Sequence, residues 1–150
     1  MNLDSKVIEI KSKLASLSGR LLEKLNDIFQ AGIPNEADKI VIWIPLGHRY
    51  NLSFTYMTND ANETEGYYSQ LSALDYDLEH LIKDVDFADC EYLNKLSKLV
   101  DLAVAEWLKA AIEKSDFSVV GLHKVMAINN ACAYFDLNSL ELLEEEDMWE

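Results

Sequence analysis

Two carboxylates and one imidazole fall on a single side of a predicted helix. Asp77, His80 and Asp84 are spaced at i, i+3 and i+7, which places them along one helical face. Carboxylate oxygens and an imidazole nitrogen can bind a divalent metal ion. Because the surrounding sequence is rich in acids, the same triplet also arises where a helix faces water. The pattern favours a solvated helix face and leaves a metal-dependent enzyme as an alternative.

The other residues with reactive side chains do not form a known site pattern. His48 and Arg49 are adjacent at a predicted turn, and His123 falls in a β-type region where we expect a partly exposed strand residue. Cys90 and Cys132 lack the CxxC spacing of a metal or redox motif, so we expect reduced packing thiols. The phosphate-binding, dinucleotide-binding, hydrolase and zinc-protease motifs are all absent from the sequence. We therefore predict no catalytic residue, no cofactor and no metal site.

The elements that would position these residues begin with a long amphipathic helix. Apolar residues recur at steps of three and four from Val7 to Ile28, which forms one helical stripe. Asp4 is predicted to cap the first turn. Gly32 is predicted to close the helix in a left-handed conformation, and Pro34 prevents its continuation.

Residues of β type occur in two places. The nearly continuous apolar run over residues 39–44 predicts a strand that is covered on both faces. The alternation from Tyr50 to Tyr56 predicts a half-buried strand, so residues Ile40 to Tyr56 are interpreted as a hairpin. A second hairpin is predicted from Val119 to Phe135, with its turn at Asn129 and Asn130.

Helical spacing occurs in three further segments. Tyr67 to Ile82 predicts a shorter acidic helix, Asp89 to Lys114 predicts a second long amphipathic helix, and Asn138 is predicted to start a short helix. The predicted fold class is α+β, with two long amphipathic helices packed on an antiparallel sheet built from two β-hairpins, and with the additional acidic helix. The chain is predicted to form a single domain over residues 1–150, with an acidic tail at about 141–150.

The acids are concentrated in two segments. The chain has 27 acids and 13 bases, which gives a net charge of −14. Residues 58–91 hold ten acids and one base, and residues 136–150 hold seven acids and no base. Such segments repel phosphate backbones and anionic membrane surfaces, because binding to either depends on Lys and Arg. We therefore expect neither direct nucleic-acid binding nor membrane binding.

The N-terminal residues and the cysteines favour a cytoplasmic protein. No apolar signal region follows the positive residues at the N-terminus, and no window reaches the length of a membrane-spanning helix. Two isolated cysteines suit a reducing compartment. We expect a soluble cytoplasmic protein that is a monomer or a homodimer.

The acidic segments are compatible with solubility alone, but an aromatic residue amid the carboxylates of the tail favours binding of a basic protein. The hypothesis is a non-enzymatic acidic protein that neutralises a cationic partner, most specifically a bacterial immunity protein or antitoxin that inhibits a toxin. One alternative is a nucleic-acid-mimicking inhibitor of a DNA- or RNA-binding protein. The predicted partner-binding residues are Asp75, Asp77, Glu79, Asp84, Asp86, Glu144, Glu145, Glu146, Asp147 and Trp149.

Overall fold

Two long helices lie on one face of a mixed β-sheet in the computed structural model of the chain. The structure describes residues 3–33, 37–44, 51–57, 73–75, 78, 90–128 and 133–143. Its elements in chain order are α1 (Leu3–Gln30), β1 (Lys39–Ile44), β2 (Asn51–Met57), β3 (Ala73–Asp75), α2 (Cys90–Lys114), a 3-10 helix (Asp116–Val119), β4 (His123–Ile128), β5 (Ala133–Asp136) and β6 (Leu142–Leu143). The predicted α+β class is confirmed.

Helix α1 buries the apolar stripe that its sequence predicts. The buried side chains recur at helical spacing from Ile10 to Ile28. Asp4 lies inside the first turn instead of at the capping position before it, where its carboxylate still interacts favourably with the helix dipole. At the other end Gly32 has a φ of 102°, and its N–H donates to the Phe29 carbonyl at 3.1 Å. The left-handed glycine closes the helix as predicted.

Helix α2 runs parallel to α1. The Trp107 indole N–H donates to the Ser18 hydroxyl at 2.9 Å, and the Asp116 backbone N–H just beyond α2 donates to the Asn26 side-chain oxygen at 2.9 Å. Because the contacts advance in the same direction along both segments, the two helix axes point the same way. Both helices contribute buried side chains to one continuous core with the sheet.

The sheet has six strands in the order β3-β2-β1-β4-β5-β6. Strand β1 pairs in parallel with β4, from Lys39 opposite His123 to Ile44 opposite Ile128, and the other four pairs are antiparallel. The prediction of a purely antiparallel sheet is therefore wrong at its centre. A parallel pair needs a long crossover connection, and α2 lies within the connection from β1 to β4. The two predicted hairpin turns, within residues 45–50 and 129–132, lie outside the described residues.

Both faces of the sheet centre are buried, as predicted for β1. Ile40 and Ile42 belong to the core shared with the helices. Val41 lies on the opposite face in a second cluster, against which Trp43 and Tyr134 pack. The Trp43 indole N–H donates to the Thr55 hydroxyl at 2.8 Å across the β1–β2 pair. A hydrogen-bonded tryptophan on this face is consistent with partial burial, because the indole nitrogen needs a partner.

The predicted acidic helix from Tyr67 to Ile82 is wrong at residues 73–75. These residues form edge strand β3, in which Asp75 pairs with Asn51 of β2. Pairing with a neighbouring strand satisfies backbone groups and overrides a weak local helical pattern. Elsewhere in that predicted helix, the described residue is Leu78, which is fully buried.

Two predicted boundaries near the C-terminus are also wrong. Val119, predicted to start a hairpin, ends the 3-10 helix instead, and β4 begins at His123. Asn138, predicted to start a helix, lies in a turn that leads into β6. The Asp136 carboxylate accepts from the Asn138 N–H at 2.8 Å and from the Ser139 N–H at 3.4 Å. An aspartate that satisfies the next N–H groups favours a turn over a helix.

Candidate functional site

The two acidic segments are attached to opposite edges of the sheet. Asp75 is the last residue of edge strand β3, and Leu143 is the last residue of edge strand β6. Strands in a sheet are spaced by nearly 5 Å, so five spacings place these two edges about 24 Å apart. The chain after each edge strand is therefore anchored at a different side of the molecule.

The negative charge is concentrated in the sequence around β3 and β6. Residues 58–91, which contain β3, carry a net −9, and residues 136–150, which contain β6, carry a net −7. The rest of the chain carries a net +2, so the total is −14.

Among the predicted partner-binding residues, Asp75 is the one whose backbone the structure describes. It occupies an edge position opposite Asn51. The other predicted residues, together with those of the alternative metal site, lie outside the described residues: Asp77, Glu79, His80, Asp84, Asp86, Glu144, Glu145, Glu146, Asp147 and Trp149. His48, Arg49 and Cys132 also lie outside them.

Edge strand β6 is short and partly exposed. Leu142 is 64% exposed, and Glu141 before it is also exposed. The Asp136 N–H donates to the Glu141 carbonyl at 2.9 Å, which holds the start of β6 against the sheet. Short strands and nearby charges at a sheet edge prevent other chains from pairing with it. The acids that adjoin β6 could therefore serve to protect this edge instead of binding a partner.

A row of ionisable side chains crosses the sheet at the start of β1 and β4. The His123 Nε2 lies 3.4 Å from the Asp136 Oδ2, and His123 pairs in register with Lys39. His123 is partly exposed, as predicted from its sequence context. Lys39 is fully buried. Burial lowers the pKa of Lys39, and the charge of the neighbouring Asp38 opposes this shift.

Sequence reasoning missed this row because its members are separated along the chain. A lysine at the start of a continuous apolar strand is the signal that could have indicated Lys39, since lysine is seldom fully buried. The pairing of Asp136 with His123 depends on the β4–β5 register, which composition does not reveal. The row consists of the buried Lys39, the partly exposed His123 and the Asp136 carboxylate that His123 contacts.

Within the described ranges, no group of three or more His, Cys, Asp or Glu residues is arranged to hold a metal ion. Neither α1 nor α2 has the apolar length that a membrane-crossing helix needs. Comparison with protein-family models, with curated proteins and with solved structures finds no significant match to this chain.

Proposed function

We propose that this protein is a non-enzymatic acidic binding protein that neutralises a cationic partner, in the manner of an immunity protein or an antitoxin. The observation that supports this proposal is the concentration of acids in two segments of the sequence. Residues 58–91 carry a net −9 and residues 136–150 carry a net −7, whereas the rest of the chain carries a net +2. A need for solubility alone would be met by acids distributed over the whole surface.

The two edge strands give this charge defined attachment points. Asp75 and Leu143 lie on opposite edges, about 24 Å apart by strand spacing. This separation of the attachment points exceeds the Debye length of about 8 Å at physiological ionic strength. We propose that both acidic segments attract the basic partner.

A toxin that cleaves nucleic acid is a suitable partner because its cleft must be basic to bind phosphates. Carboxylates can compete for the same lysines and arginines. Electrostatic attraction raises association rates up to about 10⁸–10⁹ M⁻¹s⁻¹ at low salt, and this gain is lost as salt increases. The proposal therefore requires association that is fast and strongly dependent on salt.

The test is affinity capture from a lysate of the source organism at low and high ionic strength, followed by mass spectrometry. The expected result is retention of one basic protein whose toxic activity an equimolar amount of this chain inhibits. A tail variant, Glu144→Gln, Glu145→Gln and Glu146→Gln, should then slow association of the purified pair by about tenfold or more at low salt.

A matched control removes three exposed acids from the helical layer: Glu23→Gln, Asp27→Asn and Glu106→Gln. Both variants change the net charge from −14 to −11, so only the position of the lost charge differs. The control should slow association much less than the tail variant. Equal effects of the two variants would show that total charge alone matters, and failure to retain a basic protein would contradict the proposal.

A further inference from the structure

A small cavity lies at the end of α2, on the helix-covered side of the sheet. It has a volume of about 140 Å³ and is lined by α2, the 3-10 helix, the start of β4 and the turn after β5. Ile112 and Leu137 supply its apolar wall, and both are buried. A water molecule occupies about 30 Å³ in the liquid, so the cavity has room for a group larger than one water.

Four of the seven residues that line the cavity have side chains that can donate a hydrogen bond: Lys109, Lys124, Ser118 and Asn138. Glu113 is the acidic member of the lining. The lining thus has two cations and one anion, a net charge of +1, in a protein whose overall charge is −14.

Lys124 is held at the cavity by a specific contact. Its ammonium donates to the Val120 carbonyl at 2.7 Å. An ammonium has three N–H donors, so this bond leaves two others for a ligand. Burial lowers the pKa of Lys124, because its charged form has lost part of its hydration. An anion in the cavity would replace that lost hydration.

The turn that carries Asn138 is fixed by its own hydrogen bonds. Its backbone N–H donates to the Asp136 carboxylate at 2.8 Å, and the Leu137 N–H donates to the Lys124 carbonyl at 2.9 Å. The second bond joins the turn directly to Lys124, the strand residue that provides the partly buried ammonium. The donors on β4 and on the turn therefore keep a defined spacing.

From this arrangement we propose that the cavity binds a small oxyanion, either a carboxylate or a phosphate group, between Lys109 and Lys124. Ser118 and Asn138 donate to its remaining oxygens, and Ile112 and Leu137 contact the apolar part of the molecule that carries it. A cationic ligand would be repelled by two ammonium groups. An apolar ligand would not replace the hydration that the Lys124 ammonium has lost. This site is separate from the proposed binding of a basic partner, and neither depends on the other.

The test is a two-dimensional amide NMR titration of the full chain with sodium phosphate, and separately with sodium acetate, at constant ionic strength maintained with sodium chloride. Saturable shifts at the amides of Ser118, Lys124 and Asn138 are expected with at least one anion. Saturation with phosphate alone assigns a phosphate ligand, and saturation with acetate indicates a carboxylate. Saturation with neither anion overturns the proposal.

We expect the affinity for the anion that gives saturable shifts to fall by about tenfold or more in Lys124→Met and in Lys109→Met. Each variant removes a charge-assisted hydrogen bond to that anion. Lys98→Met is the matched control, because it removes an exposed lysine of the same helix that does not line the cavity. Lys109→Met leaves the bond from Lys124 to Val120 intact, so it tests the site even if Lys124→Met unfolds the chain. Equal affinity in Lys109→Met and Lys98→Met would also overturn the proposal.

Discussion

The Trp107 indole N–H donates to the Ser18 hydroxyl at 2.9 Å and joins two parallel helices across 89 positions of sequence. Ser18 in turn donates to the Leu14 carbonyl at 3.3 Å, so one hydroxyl is both donor and acceptor. The contact lies beside the core that α1 and α2 share with the sheet. It therefore fixes the relative position of the two helices along their axes.

We predict that Ser18→Ala lowers the free energy of unfolding by about 1 kcal/mol relative to a matched control, because it removes one acceptor for a part-buried donor. The control is Ser16→Ala, an exposed serine of the same helix that bonds to its own helix backbone. Urea unfolding followed by tryptophan fluorescence measures the difference. Equal stability of the two variants would show that the Trp107 contact contributes nothing measurable.

The 3-10 helix offers a second matched pair. Phe117 is buried and packs edge-on against Phe29, with ring centroids 5.4 Å apart. Phe117→Ala should lower the free energy of unfolding by about 3–5 kcal/mol, because it leaves a cavity in the core. Val119, two residues later, is 85% exposed, so Val119→Ala should change stability by less than about 0.5 kcal/mol. Denaturant titration of both variants checks the contrast, and a similar loss in both would contradict it.

Substitution by alanine at two glycines of the N-terminal region should change the stability of the protein in opposite directions. Gly19 lies in the middle of α1 with no atom within 4 Å of an added methyl group, so Gly19→Ala should stabilise the protein by about 0.5–1 kcal/mol. Gly32 has a φ of 102°, which strains any residue with a side chain, so Gly32→Ala should destabilise it by about 1 kcal/mol. Thermal unfolding of each variant shows whether its stability rises or falls. If Gly32→Ala stabilised the protein, the left-handed conformation assigned to Gly32 at the end of α1 would be wrong.

Sequence periodicity predicts the long elements of this fold well because burial of one helix stripe requires a repeating pattern. The apolar spacing from Val7 to Ile28 gives α1, and helix α2 begins at Cys90, one residue from the predicted Asp89. The central strand β1 was predictable for a similar reason. A strand covered on both faces must be apolar at nearly every position, and Ile40 to Ile44 fulfil this requirement.

Strand order and the edges were not predictable in the same way. The β1–β4 pair depends on where the crossover through α2 returns the chain, and no local pattern encodes this. The three-residue strand β3 is too short to show an alternation, and its leucine matches a helical spacing equally well. The concentration of acids was visible in composition, but its attachment at Asp75 and Leu143, on opposite edges, required the sheet order.

The last prediction concerns the pH dependence of stability at Lys39. This side chain is buried between its register partners Met57 and His123, and burial lowers its pKa below the ordinary value of 10.5 despite the opposing charge of Asp38. Between the lowered pKa and 10.5 the unfolded chain binds more protons at this position than the folded chain does. The contribution of Lys39 to stability therefore rises with pH across that window.

The variant Lys39→Met lacks this dependence. Its free energy of unfolding, measured relative to wild type by denaturant titration, should fall as pH is raised through the window between the lowered pKa of Lys39 and 10.5. Lys98→Met removes the same charge at an exposed site of α2 and controls for the general change in net charge. The wild-type advantage should grow with pH for Lys39→Met and stay nearly constant for Lys98→Met. Parallel curves for the two variants would mean that Lys39 keeps its ordinary pKa in the folded protein and that its burial carries no electrostatic cost.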